Sequence, residues 1–179
     1  NGGTALVARC QIATINVSRT CYFDDIYIDD AQFHGNCRVR TFRPDSDGVH
    51  SDFTRISGSN DYEMVDETPS DDDTTYITGG TIGDKSTFGI TTGSVGTIKG
   101  LKISNRVKNV AASLGRIKSI VRSGGVDYNG PVSGVLAGGA YVYPRDHVLE
   151  TDPQDSNPWT QTKLEAAEFG VMLVDSDTT

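Results

Sequence analysis

Five carboxylates crowd one short stretch, VDETPSDDDTTYITGG (65–80): Asp66, Glu67, Asp71, Asp72 and Asp73. Hard oxygen donors in number are what a calcium site needs, and two carboxylates, one with a raised pKa, are what glycoside hydrolysis needs. Three consecutive aspartates on a strand cannot all point into one site, because alternate side chains face opposite ways. The expected reading is a solvated, loop-forming acidic run that leads into a strand, with a cation site as the alternative. A second acidic motif, DSDG with Asp45, Asp47 and Gly48, opens like a calcium loop, but Ile56 stands where the bidentate glutamate belongs. A type I turn is predicted there instead, and no metal ligand set is assigned.

Other chemistry finds little support. His34, His50 and His147 are scattered, and no GxSxG or comparable elbow accompanies a serine, so no hydrolytic triad is expected. Nothing selects a catalytic pair from the 24 acidic residues. No phosphate-cradling loop or dinucleotide fingerprint occurs. The chain reads as a non-enzyme without cofactor or catalytic residue. Cys10, Cys21 and Cys37 form no CxxC and have no histidine at zinc-finger distance. They are expected as buried thiols, with one disulfide or an intermolecular bridge as the alternative. Trp159, the single tryptophan, sits beside a helix start; it is expected in the core, with an exposed glycan-stacking platform as the alternative. The sequon at Asn16 carries no weight.

The formal charge of −8 disfavours nonspecific binding to nucleic acid and to anionic membranes. Basic residues do cluster, in KGLKISNRVK (99–108) and GRIKSIVR (115–122), but they interleave with apolar ones as on the solvent face of a sheet. No apolar run approaches the roughly 20 residues of a membrane-spanning helix.

The elements that must position these residues read as strand and turn. In LKISNRV, Leu101, Ile103 and Val107 alternate with Lys102, Ser104 and Arg106, the period of a half-buried strand. Similar stretches occur at 5–17, 22–28, 37–42, 74–79, 86–91, 116–121, 140–150 and 169–174. Turns rich in Gly, Asn, Asp and Pro are predicted at 43–48, 57–61, 82–86, 122–131 and 136–140. One short helix is predicted within WTQTKLEAAEFG (159–170), capped by Thr162 and Glu165, ending near Gly170 and plugging the sandwich with Leu164 and Ala167. The fold class expected is all-β: an antiparallel β-sandwich or jelly roll with one short C-terminal helix.

The blocks YFDDIYIDD, VRTFRPDSDG, YEMVDETPSDDDTTYI, GTIKGLKI, IVRSGGVDYNG and ETDPQDSNPWTQTKLEAAEFGV, in this order, resemble a group of tailed-bacteriophage virion proteins. In that group a segment of this type follows a concanavalin-like (laminin-G-like) sandwich, whose last strand carries the aspartate pair matching Asp24 and Asp25. The resemblance implies residues 1–30 as N-terminal strands, a remnant or docking segment, and 31–179 as the sandwich domain. It implies that Thr75, Tyr76 and Ile77 enter a strand while the aspartates stay on the surface. A virion structural protein is implied, a capsid decoration or tail-fibre component acting through contacts with other virion proteins and as a homo-oligomer. The alternative is a carbohydrate-binding module for a host surface glycan. Cut from the separate domain, the apolar N-terminal segment is expected to dock on a neighbour through Leu6, Val7, Ile12, Ile15 and Val17, with an edge strand added to its own sandwich as the alternative.

Overall fold

The structure is a computed structural model that describes residues 37–110, 115–136 and 138–174. The chain divides into two compact units, Asn1–Thr41 and Phe42–Thr179. Leu6, Val7, Ile12, Ile15 and Val17, together with Cys10, Cys21, His34 and the expected boundary at 30/31, lie outside the described residues. Cys37 is half-buried. The strand expected over 37–42 does not form.

The second unit is all-β with one short helix. Its strands are β1 (Ser46–Ser51), β2 (Thr54–Arg55), β3 (Ile77–Thr78), β4 (Lys85–Gly89), β5 (Leu101–Ile103), β6 (Val107–Lys108), β7 (Arg116–Ser123), β8 (Val126–Val132), β9 (Tyr141–Val142), β10 (His147–Leu149) and β11 (Glu168–Val174). The helix α1 spans Gln161–Ala166. One antiparallel five-stranded sheet runs in the order β1-β4-β11-β7-β8, and three two-stranded ladders pair β10 with β5, β2 with β3, and β6 with β9.

The main sheet follows from alternation. The β11–β7 register sets Phe169 against Val121, Val171 against Ser119 and Leu173 against Ile117 on one face. That face makes the core in two clusters. Ile117, Leu136 and Val171 gather Phe53, Val107 and Leu173. Val121, Trp159 and Ala167 gather Ile98, Leu101, Ile103, Leu149 and Phe169. The opposite face carries Glu168 against Arg122 and Gly170 against Ile120.

Several local expectations are corrected. The predicted turn at 43–48 gives way to β1, which pairs with β4; Gly48 serves close approach and not a turn, since a Cβ there would meet the Glu168 carboxylate and the Thr87 hydroxyl. Within 122–131 only Gly124 and Gly125, both at positive φ, make the turn. The Asn129-Gly130-Pro131 run is instead part of the edge strand β8, a place where proline's missing N–H costs no ladder bond. The single strand expected over 101–107 splits between β5 and β6, which pair with different partners. The helix is capped by Thr160, whose hydroxyl accepts the Lys163 N–H at 3.2 Å, and not by Thr162. Glu165 is drawn away to accept the Thr92 N–H and hydroxyl. The helix stops at Ala166, so Gly170 lies in β11; Leu164 and Ala167 are both buried, as expected. Among the described residues no helix is long and apolar enough to cross a membrane.

Candidate functional site

The β6–β9 ladder opposes Lys108 to Tyr141 and Val107 to Val142. Continuing that register by one residue opposes Arg106 to Tyr143. Side chains two apart on a strand share a face, so Arg106, Lys108, Tyr141 and Tyr143 stand together while Val107 packs inward on the Ile117 cluster. The Arg106 guanidinium lies 5.2 Å from the Tyr141 ring centroid and 5.3 Å from that of Tyr143, and Lys108 Nζ lies 5.1 Å from Tyr141. These are cation–π distances.

The acidic run docks on this face. Arg106 donates from Nε and Nη2 to the two oxygens of Asp72 at 2.6 and 2.8 Å, a bidentate fork. Lys108 Nζ donates to both oxygens of Asp73 at 2.7 and 2.9 Å, and the Tyr141 hydroxyl adds a bond of 3.2 Å. Asp71 turns back to accept the Thr75 N–H and hydroxyl, and Glu67 accepts the same hydroxyl. Asp72 has φ of 57°, so the backbone turns here and two consecutive carboxylates can address one surface. The aspartates stay on the surface, Asp72 at 40% and Asp73 at 69% side-chain exposure, and there these two also pair with cations.

The charges follow. The Arg106 hydrogen bonds hold the Asp72 carboxyl below the usual carboxylate range, and the Lys108 bonds do the same for Asp73. The Tyr141 phenol is pushed up to about 12, first by burial and then by the bond to Asp73. Arg106 is raised by Asp72. Among the described residues no group of three or more His, Cys, Asp or Glu side chains converges as metal ligands would.

A second polar cluster sits on the opposite face of the main sheet, the one that carries the buried Ile120 and Thr87. His50 Nε2 and Lys85 Nζ lie 2.8 and 2.9 Å from Asp127 Oδ2, and Arg122 Nη1 lies 2.7 Å from Oδ1. His50 is on β1 and Asp127 on β8, the two edges of the sheet, so their contact requires this face to be concave. Ser51, next to His50, donates its hydroxyl to Asp61 at 2.5 Å and forms no serine–histidine pair. Burial pushes the Asp127 carboxyl up, but hydrogen bonds from Lys85 and Arg122 and the charge of His50 outweigh it, leaving the group lowered to about 2. Its contribution to stability is therefore fully present above 3.8, the unperturbed value, and is lost as pH falls through about 2. At roughly 1.36 kcal/mol per pH unit, Asp127→Asn is expected to cost about 2 kcal/mol at neutral pH. Urea denaturation at several pH values should show the gap between wild type and variant closing between pH 3.8 and about 2; a constant gap would refute this account.

The remaining sites sort quickly. Trp159, the expected alternative platform, is 3% exposed in the Val121 cluster, so its faces are taken up by core side chains and that alternative is corrected. In the loop before it, the Lys163 ammonium bonds both oxygens of Asp155 at 2.7 Å and lies 3.5 Å from Asp152 Oδ2. Sequence reading missed Arg106, Lys108, Tyr141 and Tyr143 as a group, although RVK and YVY each space their like residues by two, the signature of one strand face. Comparison of the chain with family models, with curated proteins and with solved structures finds no match.

Proposed function

We propose that this chain is a bacteriophage virion structural component, a capsid decoration or tail-fibre module that works through contacts with further copies of itself and with other virion proteins. The ladders and helix over the core face act in this reading as the second layer of a β-sandwich. The observation that carries it is the edge of the main sheet. Among the described residues β8 is unpaired on one side, and it bears Val126 at 52% and Val132 at 46% exposure at its two ends, with exposed Val135 just beyond. Apolar side chains at an open edge fit burial against a neighbour.

Light scattering on the purified chain is expected to give a defined oligomer, and the exposed changes Val126→Asp and Val132→Asp together are expected to give a folded monomer with an unchanged melting curve. A monomeric wild type, or assembly untouched by the double variant, would count against the edge. Labelling of phage particles with an antibody to the chain tests the virion assignment itself.

A second reading, a glycan-binding module, is favoured by one observation: among the described residues the aromatic ring left exposed is Tyr143, at 63%, instead of Trp159.

A further inference from the structure

We infer that Tyr143 and the acidic–basic cluster behind it form a binding site for an uncharged pyranose, a proposal that rests on the glycan-binding reading and names its site and ligand class. Sugars are recognised by two features together. An aromatic face receives the slightly positive C–H face of the ring, because the π system carries negative charge on its faces. Fixed hydrogen-bonding groups at the rim receive the hydroxyls.

Both features are present here, and both are held in place before any ligand arrives. One face of Tyr143 is backed by the Arg106 guanidinium at 5.3 Å. Arg106 is itself held by two hydrogen bonds to Asp72. With 63% of Tyr143 exposed, the ring remains open to solvent on its other side. Asp73, whose side chain is 69% exposed, offers acceptor oxygens on the same ladder face, ordered by Lys108 and the Tyr141 hydroxyl. A platform fixed in advance loses little side-chain entropy on binding, which favours even a small contact.

Charge selects the class of sugar. Arg106 and Lys108 are matched one for one by Asp72 and Asp73, so neither cation is left with an unmatched charge. An acidic sugar would have to compete with two carboxylates already in place on both cations. A neutral hexose or N-acetylhexosamine meets no such competition and can use Asp73 as a hydroxyl acceptor.

The test uses the whole chain on a printed array of neutral hexose and N-acetylhexosamine oligosaccharides beside sialylated and uronic-acid-bearing ones. Saturation-transfer NMR on the best binder follows. Neutral glycans are expected to bind. Tyr143→Ala should weaken binding about tenfold or more, the loss of one well-packed contact, and Tyr143→Phe less than about threefold, because the ring is kept. The melting temperature of each variant should stay within about 2 °C of wild type, since an exposed ring contributes little to folding. Glycan binding that Tyr143→Ala leaves intact would overturn this site while leaving the glycan-binding reading standing. Binding confined to acidic glycans would overturn the charge argument. Silence across the array would remove both the site and the reading.

Discussion

Trp159→Ala is expected to lower stability by about 3–5 kcal/mol, the range for removing a buried tryptophan. The indole packs against Val121 of the main sheet and Ala167 after α1, with its ring centroid 6.3 Å from that of Phe169. Ile98, Leu101, Ile103 and Leu149 close on the same cluster, so this one side chain ties the sheet to the β5–β10 ladder and to the helix. Too many elements converge for the site to collapse around an alanine, and a cavity would be left. The indole N–H is buried without a protein acceptor, which Trp159→Phe would remove. That variant is therefore expected to cost only about 1–2 kcal/mol, the loss of volume offset by one fewer orphaned donor. Urea denaturation of the three proteins measures both values; an alanine variant within about 1 kcal/mol of wild type would mean that the cluster is not the core. Loss of ligand binding in Trp159→Ala would report unfolding and says nothing of a sugar platform.

Gly170→Ala should be almost as damaging, at about 3 kcal/mol, the upper end for overpacking. Gly170 lies in the central strand, paired on one side with Thr87 of β4 and on the other with Ile120, which is fully buried. A Cβ there would stand 2.8 Å from Thr87 Cα and 2.9 Å from the Ser86 carbonyl carbon, and closer still to the Ser86 oxygen. All three are backbone atoms of a paired strand and cannot swing aside, so relief must come from parting the strands. Gly80 supplies the control: nothing lies within 4 Å of a Cβ built there, and Gly80→Ala should change stability by less than about 0.5 kcal/mol. Equal effects at the two positions would sink the steric explanation.

What could be read from the sequence depended on whether the deciding contact was local. β7 and β11 were legible because their apolar residues alternate, and the pattern survives in the register of Val121 with Phe169 and Ile117 with Leu173. Leu164 and Ala167 were legible as the buried side of a short helix. β1 was not: Ser-Asp-Gly has every mark of a turn, and it is the ladder with β4, which sets Ser46 against Gly89 and Ser51 against Ser86, that makes a strand of it. The capping residue was misread for a similar reason, since Glu165 accepts from Thr92 and from the Gln161 side chain and not from a cap's backbone N–H. The acidic run was seen as a cluster, but its partners Arg106 and Lys108 lie 34 and 35 residues further on, and no local pattern announces such a pairing. The aromatic site was half visible. The alternation in RVK and YVY was there to be found, whereas the burial of Trp159 and the exposure of Tyr143 depend on how the ladders pack.

β11 sits between β4 and β7, yet it follows every other strand of the sheet in the chain. During synthesis the β1–β4 pair and the β7–β8 hairpin emerge from the ribosome well before the strand that joins them. Two-stranded pieces are marginal by themselves, and each holds open the edge that β11 will occupy. At about 5–20 residues per second, the roughly 40 residues between the end of β8 and the end of β11 leave those edges bare for seconds. Until β11 is made, the nascent chain holds two unmatched half-sheets, and a ribosome stalled before that point would display both open edges to its neighbours.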